Sequence, residues 1–157
     1  MFRKIRRIKQ QTREETCIEI LRTEKRCVLS VFGEDGYPYG IPMNFYYDEE
    51  ENIIYFHSAK EGHKVDAINA NNKVCVTVYN QGFQEEGDWV YNVTSVIAFG
   101  QARFIEDEDI KREKALKLAL KYYPTPESAE AELTAVPRMS LIAVSIDHMT
   151  GKLVNES

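Results

Sequence analysis

The order of apolar and polar positions along this chain predicts a mainly β protein. Val74, Val76 and Val78 alternate with polar residues, a pattern typical of a strand with one buried face. Apolar runs predict six strands, at residues 27–32, 37–47, 53–58, 73–79, 89–105 and 139–147. Gly100 interrupts the fifth and predicts a bend or bulge. Short polar turns join the first three strands, so we expect them to pair antiparallel.

Apolar residues at helical spacing predict three helices, over residues 14–26, 62–70 and 107–123. The last begins with acidic residues and is followed by Pro124, which are common signals of a helix start and end. Residues 124–138 predict a loop with one helical turn. Six strands in one 157-residue core can scarcely stay flat. We therefore expect a single domain over residues 1–157, built as a six-stranded antiparallel split or closed β-barrel with helices outside.

Composition is that of an ordinary soluble domain, with 43% hydrophobic and 29% charged residues. No apolar run approaches the ~18 residues of a membrane span, so no membrane partner is expected. Cys17, Cys27 and Cys75 are odd in number and widely spaced, which favours reduced thiols in a cytoplasmic protein. The start of the chain has no apolar segment typical of a signal peptide, which agrees with that location.

A basic arm precedes the first predicted helix. Residues 1–13 carry six Lys or Arg side chains, yet the chain has a net charge of −5 and no basic stripe follows. Nucleic acid is therefore not expected as a partner. We expect the arm to pack on its own domain or on a partner subunit.

Two histidines lie close together in the segment "YFHSAKEGHKVDAINANNKVCV", residues 55–76. His57 ends a predicted strand, where a histidine can either make a structural hydrogen bond or face a site. His63 and Lys64 follow Gly62 at a predicted helix start, where free N–H groups and the helix dipole attract anions. The segment therefore indicates either a phosphate site or an ordinary solvated helix start.

Other chemistries find less support in the sequence. His57 and His63 are six residues apart across a change from strand to helix, and His148 is the one further histidine, so no metal site is predicted. Ser145, Asp147 and His148 are too close on one predicted strand to form a catalytic triad. Neither G-x-G-x-x-G nor G-x-x-x-x-G-K-[ST] occurs, so the common nucleotide loops are not indicated.

Four phrases in a fixed order resemble one protein family. They are "GYPYGIPMNFYY", "IIYFHSAKEGHKVDAINANNKVCV", "TSVIAFGQARFIEDEDIKREKAL" and "IDHMTGK". Together they are similar to the pyridoxamine-5′-phosphate-oxidase-related flavoproteins, and most of all to their nitroimidazole-resistance branch. The resemblance extends from about residue 1 to 153. It implies a homodimeric, FMN-binding split β-barrel with the flavin at the subunit interface.

The resemblance also implies a set of cofactor-binding residues. These are Pro42, Met43 and Asn44 beside the isoalloxazine ring, His57 and Ser58 near the ribityl chain and phosphate, His63 and Lys64 on the phosphate, and Thr94 and Ser95 from the second subunit.

Two departures from the family pattern refine the expected activity. The oxidases carry a C-terminal tryptophan and arginine motif for their substrate, whereas this chain ends "HMTGKLVNES" and has its one tryptophan, Trp89, in mid-chain. This argues against oxidation of pyridoxamine phosphate. His63 stands where the oxidases have an arginine, so phosphate affinity is expected to depend on pH near neutrality.

We therefore expect an FMN-dependent oxidoreductase that moves electrons from NADH or NADPH to a small acceptor such as a nitroaromatic. Hydride transfer through the flavin requires no protein acid or base, and His57 is the one candidate for a catalytic side chain. The alternative is a split barrel that holds flavin or haem without turnover, as a store or sensor. In that case His57, His63 and His148 are the candidate haem ligands.

Overall fold

Eight β-strands form one antiparallel sheet within residues 1–156, the part of the chain that this computed structural model describes. In chain order they are β1 (Cys27–Phe32), β2 (Pro38–Met43), β3 (Tyr46–Asp48), β4 (Ile53–Ser58), β5 (Lys73–Tyr79), β6 (Phe83–Gln84), β7 (Tyr91–Phe104) and β8 (Ser140–Glu156). Neighbouring strands follow the order β2-β1-β5-β7-β8-β4-β3, and β6 pairs with β7.

The strands β2 and β3 are consecutive in the chain but lie at opposite ends of this order. Asn44 and Phe45 alone connect them. Three peptide steps separate Met43 from Tyr46 and span at most about 11 Å, so the sheet must curl until its two edges meet. No backbone ladder joins β2 to β3 in the described chain, so the barrel stays open along this seam. The predicted antiparallel split barrel is thus confirmed.

The number and limits of the strands differ from the prediction. The predicted strand 37–47 is two strands, because the chain turns at Asn44 and Phe45 and drives the Phe45 side chain into the core, where it is 0% exposed. A two-residue strand, β6, lies in the predicted loop 80–88. The last strand continues to Glu156, since it pairs with β7 along nearly its whole length.

Gly100 lies at the irregularity that the sequence predicts. The register between β7 and β8 shifts between Phe99 and Gly100. A Cβ atom at Gly100 would come within 2.4 Å of the Ser145 carbonyl oxygen, so glycine is needed for the close approach of the two strands.

Four helices pack outside the sheet in residues 1–156: α1 (Glu14–Thr23), α2 (His63–Ala70), α3 (Glu108–Tyr122) and α4 (Pro126–Glu132). The first three agree with the prediction within a few residues. The predicted loop 124–138 instead forms α4 and a 3-10 turn, Leu133–Arg138. No helix of these residues is both long and apolar enough to span a membrane.

The barrel interior and α1 share one apolar core. Its members include Leu29, Phe56 and Val96 from the strands and Leu21 from α1, each 0% exposed. Burying one such side chain contributes about 1.5–3 kcal/mol. The three cysteines are free thiols, with Cys17 and Cys27 buried and Cys75 half-buried.

A buried ion pair ties α3 to the β3–β4 hairpin. The ammonium of Lys114 lies 3.0 Å from Asp48 Oδ2 and also contacts Glu51 Oε1. Burial alone lowers the pKa of Lys114, but its hydrogen bonds to these two carboxylates raise the pKa above its ordinary value. For Asp48, burial alone would raise the pKa. The hydrogen bonds that it accepts from Lys114 and from the Glu51 backbone outweigh this effect, so the pKa of Asp48 lies below its ordinary value.

We expect Lys114→Met to destabilise the fold by about 3 kcal/mol, because Asp48 is left as a buried carboxylate without its partner. The difference from wild type should be full at pH 7. It should shrink below about pH 4, where the unfolded carboxylate is protonated and the stability from the lowered pKa is lost. Urea unfolding at several pH values measures this. The control Lys117→Met removes a half-exposed lysine 3.9 Å from Asp48 and should cost less than about 1 kcal/mol. Equal losses in the two variants would contradict the expectation.

Candidate cofactor site

The start of α2 is an uncapped helix end beside the barrel. Gly62 precedes the helix with a φ of +129°, a conformation that side-chain-bearing residues rarely adopt. Among residues 1–156, no side chain accepts a hydrogen bond from the first turn of α2. The backbone N–H groups of that turn are therefore open to an anion, and the helix dipole adds a partial positive charge.

Lys64 adds a cation to this helix start. Its side chain is half-buried, and burial lowers its pKa. Within residues 1–156 no carboxylate lies within ion-pair distance of its ammonium. A partly desolvated ammonium beside free N–H groups is the donor set that a phosphate requires. These residues therefore fit the phosphate of the predicted cofactor.

His63 opens the helix, as the sequence predicts, and already has two neighbours. Its ring stacks on Tyr39, with centroids 4.2 Å apart and planes 12° from parallel. The backbone N–H of Glu34 donates to His63 Nε2 over a long 3.4 Å. Because Nε2 is an acceptor there, the Nδ1 side of the ring is left for another partner. No local pattern in the sequence predicts this link to the β1–β2 turn.

His57 and Ser58 end β4 and differ in exposure. The Ser58 side chain is buried and donates to the Ala59 carbonyl oxygen at 2.9 Å. His57 is exposed at the mouth of a cleft. Desolvation by the cleft and then the positive charge of Lys64 lower the pKa of His57, and Glu132 opposes this shift. The imidazole is therefore mostly neutral at pH 7.

The segment Pro42–Asn44 lies at the seam of the barrel. Pro42 is exposed, Met43 is half-buried against the core, and the Asn44 side chain accepts a hydrogen bond from Arg26. Asn44 and His57 line the same cleft, so the structure brings these two predicted residues together. Lys64 is near enough to shift the pKa of His57.

The cleft lies between this seam, α3, α4 and the 3-10 turn, and has a volume of about 470 Å³. That is within the usual range of small-molecule sites, about 300–1,000 Å³. Its polar lining consists of Asn44, His57 and Glu132. The rest of the lining is aromatic or apolar and comprises Tyr122, Tyr123, Ala115, Leu118, Ala119, Leu133, Ala135, Val136 and Met139. The wall formed by residues 124–138 was predicted as a loop. Its helix start could have been recognised from Thr125, Pro126 and Ser128, which form a capping box with proline at the first helical position.

The last turn of α3 fixes the seam. The Phe45 N–H donates to the Tyr122 hydroxyl at 2.9 Å, and this hydroxyl donates in turn to the Lys25 carbonyl at 2.9 Å. Lys121 Nζ donates to the Phe45 carbonyl at 3.0 Å. Burial, together with the charge of Lys25, lowers the pKa of Lys121 to about 8. Since both backbone groups of Phe45 are bound, α3 also positions the adjacent Asn44.

Thr94 and Ser95 lie far from His57 within one chain. Phe104 pairs with Ile142, which in turn pairs with Phe56 next to His57. Thr94 is ten residues before Phe104 on the same strand, or about 30 Å away along it. Its backbone exchanges two 3.0 Å hydrogen bonds with Asn80. One chain alone therefore does not bring these two residues into the cleft.

No group of three His, Cys, Asp or Glu side chains converges on a metal-sized site within residues 1–156. The two histidines of the segment 55–76 have separate surroundings: His57 lines the cleft, and His63 lies against Tyr39.

The fold defines the class as small split-barrel proteins with helices packed outside the sheet. Residues 13–153 match the family model described as pyridoxamine 5′-phosphate oxidase. This chain belongs to that family. A comparison with curated proteins found no match.

Solved structures with this fold include two flavoproteins and a candidate 5-nitroimidazole antibiotic resistance protein. The latter, from Bacteroides thetaiotaomicron, is 25% identical with a TM-score of 0.77, over 91% of this chain and 85% of that one. A flavocytochrome from Azotobacter vinelandii is 20% identical, with a TM-score of 0.78 over 96% and 72% of the two chains. An FAD-binding protein from Mesorhizobium loti is 20% identical, with a TM-score of 0.68 over 92% and 96%. The resemblance inferred from the sequence is confirmed.

We expect Tyr122→Phe to lower the free energy of unfolding by about 1–3 kcal/mol, because the Phe45 N–H loses its acceptor. Urea unfolding followed by circular dichroism measures the loss. Tyr123→Phe is the matched control, since this exposed neighbour lines the same cleft and should change stability by less than about 0.5 kcal/mol. An unchanged midpoint in Tyr122→Phe would show that the seam does not need the hydroxyl.

Proposed function

We propose that this protein is an FMN-dependent oxidoreductase, which transfers electrons from a reduced nicotinamide to a small acceptor such as a nitroaromatic. One observation carries the proposal: the uncapped start of α2 bears the half-buried Lys64, whose charge acts on His57 in the cleft that Asn44 also lines. An anion site and an apolar cleft together match the two ends of a flavin nucleotide. Membership of the pyridoxamine 5′-phosphate oxidase family supports this proposal.

Charge complementarity supports a phosphate of the cofactor at the start of α2. A phosphate monoester carries about −1.5 to −2 charges at pH 7. Lys64, the helix dipole and the free N–H groups of α2 would balance that charge, and His63 could donate through Nδ1. A terminal phosphate of this kind belongs to FMN. The FAD-binding and flavocytochrome structures support a flavin in this fold.

The ring end is argued from the seam. A flavin held here would supply two-electron chemistry, by which the hydride of a reduced nicotinamide and one solvent proton would convert a nitro group to nitroso and water. Asn44 and the backbone of Pro42 and Met43 would position the ring edge, and the neutral His57 would border it. The apolar walls of the cleft would exclude water. The protein thus contributes binding and orientation.

The proposal includes a homodimer, because Thr94 and Ser95 lie far from the His57 cleft of their own chain. Ser95 shares the outer face of β7 with Ile97 and Phe99, which are 39% and 40% exposed. An exposed apolar sheet face of this kind suits a second copy of the chain. In such a dimer Ser95 would reach the partner's flavin site, whereas the Thr94 side chain is buried and faces the barrel interior with Val96 and Ala98.

We expect Lys64→Ala to weaken FMN binding by about 1.5–3 kcal/mol, the usual loss of a charge-assisted hydrogen bond. Stability without flavin should change by less than about 0.5 kcal/mol. Fluorescence titration of FMN measures the affinity. The control Lys60→Ala removes an exposed lysine ahead of the helix and should leave it within about twofold of wild type. Unchanged affinity in Lys64→Ala would remove the phosphate assignment.

The visible spectrum of the purified protein tests the function as a whole. We expect a yellow protein that sediments at twice the 18.2 kDa mass of one chain. Anaerobic NADH or NADPH should bleach it, and a nitroaromatic should restore the colour. Failure to bind FMN would refute the proposal. A yellow protein that is never bleached would favour a flavin store, and a Soret band would favour haem.

A further inference from the structure

The charge of the cleft is unusually simple. Among its twelve lining residues within the described chain, Glu132 alone carries a formal charge at neutral pH. His57 is mostly neutral there, since desolvation and the nearby Lys64 lower its pKa. If the phosphate of the proposed cofactor binds Lys64, that positive charge is balanced. Glu132 is then the one charged side chain of the described lining that a molecule in the cleft would touch, while the cations Arg26, Lys25 and Lys121 contact the lining residues Asn44 and Tyr122 from outside the lining.

The fold fixes the position of this carboxylate. Glu132 is the last residue of α4, and the backbone continues from it directly into the 3-10 turn Leu133–Arg138. The helix start is fixed at the other end by the capping box of Thr125 and Ser128. Glu132 also shifts the pKa of His57 upward, so its field reaches the mouth of the cleft.

The side chains around Glu132 favour a flat organic molecule. The Tyr122 hydroxyl is already engaged with the Phe45 N–H and the Lys25 carbonyl, so Tyr122 presents its ring to the cleft. Desolvation and the nearby Glu132 carboxylate raise the pKa of Tyr123. An aromatic wall with one carboxylate at its edge suits a planar ring whose cationic or N–H-donating substituent reaches that carboxylate.

We propose that the α4 side of this cleft, next to the flavin ring at the seam, is the acceptor site, and that Glu132 makes it select aromatic acceptors with a cationic or N–H-donating substituent over anionic ones. This inference rests on the proposed function in one respect: the bound aromatic molecule is an electron acceptor only if the protein is an oxidoreductase. The charge preference itself is a binding property of the chain and can be measured without electron transfer.

The test uses three nitroaromatics of similar size: 4-nitrobenzylamine as the cation, 4-nitrobenzyl alcohol as the neutral compound and 4-nitrobenzoate as the anion. Calorimetry measures their binding to the protein loaded with oxidised FMN, with no electron donor present. We expect the amine to bind about tenfold more tightly than the benzoate, as one partly exposed charge allows. The alcohol should fall between them.

Two variants separate Glu132 from the general charge of the protein. Glu132→Gln should reduce the preference for the amine to about twofold, and Glu132→Lys should reverse it. Glu130→Gln is the matched control, since Glu130 is exposed on the same helix and does not line the cleft. It should keep the wild-type preference. Circular dichroism of each variant verifies that it is folded.

Equal affinities for the three compounds, or an unchanged preference in Glu132→Gln, would overturn the inference. Reduction of all three compounds at equal KM would leave the proposed function standing and remove the selectivity. The expected charge preference in calorimetry, with no bleaching by nicotinamide, would support the selective cleft and refute the proposed oxidoreductase.

Discussion

The two-residue connection between β2 and β3 is the constraint on which the rest of this structure depends. Asn44 and Phe45 join strands at opposite edges of the sheet, so the sheet has to curl around its core until those edges approach. The edges meet without hydrogen bonds between them, and the last turn of α3 satisfies the backbone of Phe45 instead. The cleft lies beside this seam, where Asn44 and Tyr122 both line it. The candidate site therefore exists because the barrel does not close.

Local patterns predicted most of the elements, while non-local pairing decided the rest. The alternation of Val74, Val76 and Val78 identifies β5, and Gly100 indicates the irregularity in β7. The run 37–47 is apolar almost throughout and contains no glycine near its turn, so its division at Asn44 leaves no local signal. Only the positions of the two sheet edges require the turn. The length of β8 likewise comes from pairing with β7, which no pattern within β8 reveals.

The candidate site divides in the same way. The local sequence of Gly62, His63 and Lys64 is sufficient to predict an anion-binding helix start, and α2 does begin there. The contacts of His63 with Tyr39 and Glu34 depend on the β1–β2 turn and could not be read from neighbours in sequence. The wall formed by α4 was missed although its capping residues are local, because a short helix rich in alanine and glutamate lacks an apolar stripe. Thr94 and Ser95 on β7 were predicted as site residues from the family resemblance alone. Their spacing in the sequence gives no reason to place them near His57.

The strict alternation of β7 limits the insertions and deletions that this strand can accept. Ser95, Ile97 and Phe99 face outward because they lie two positions apart, and their neighbours Val96 and Ala98 fill the barrel. Gaining or losing a single residue before Gly100 would exchange the two sets, burying a hydroxyl and exposing the core. Changes in pairs would preserve the faces and merely lengthen or shorten the ribbon. Length variation in this strand is therefore tolerable in even steps, and the bulge at Gly100 is the place where an odd one could be absorbed.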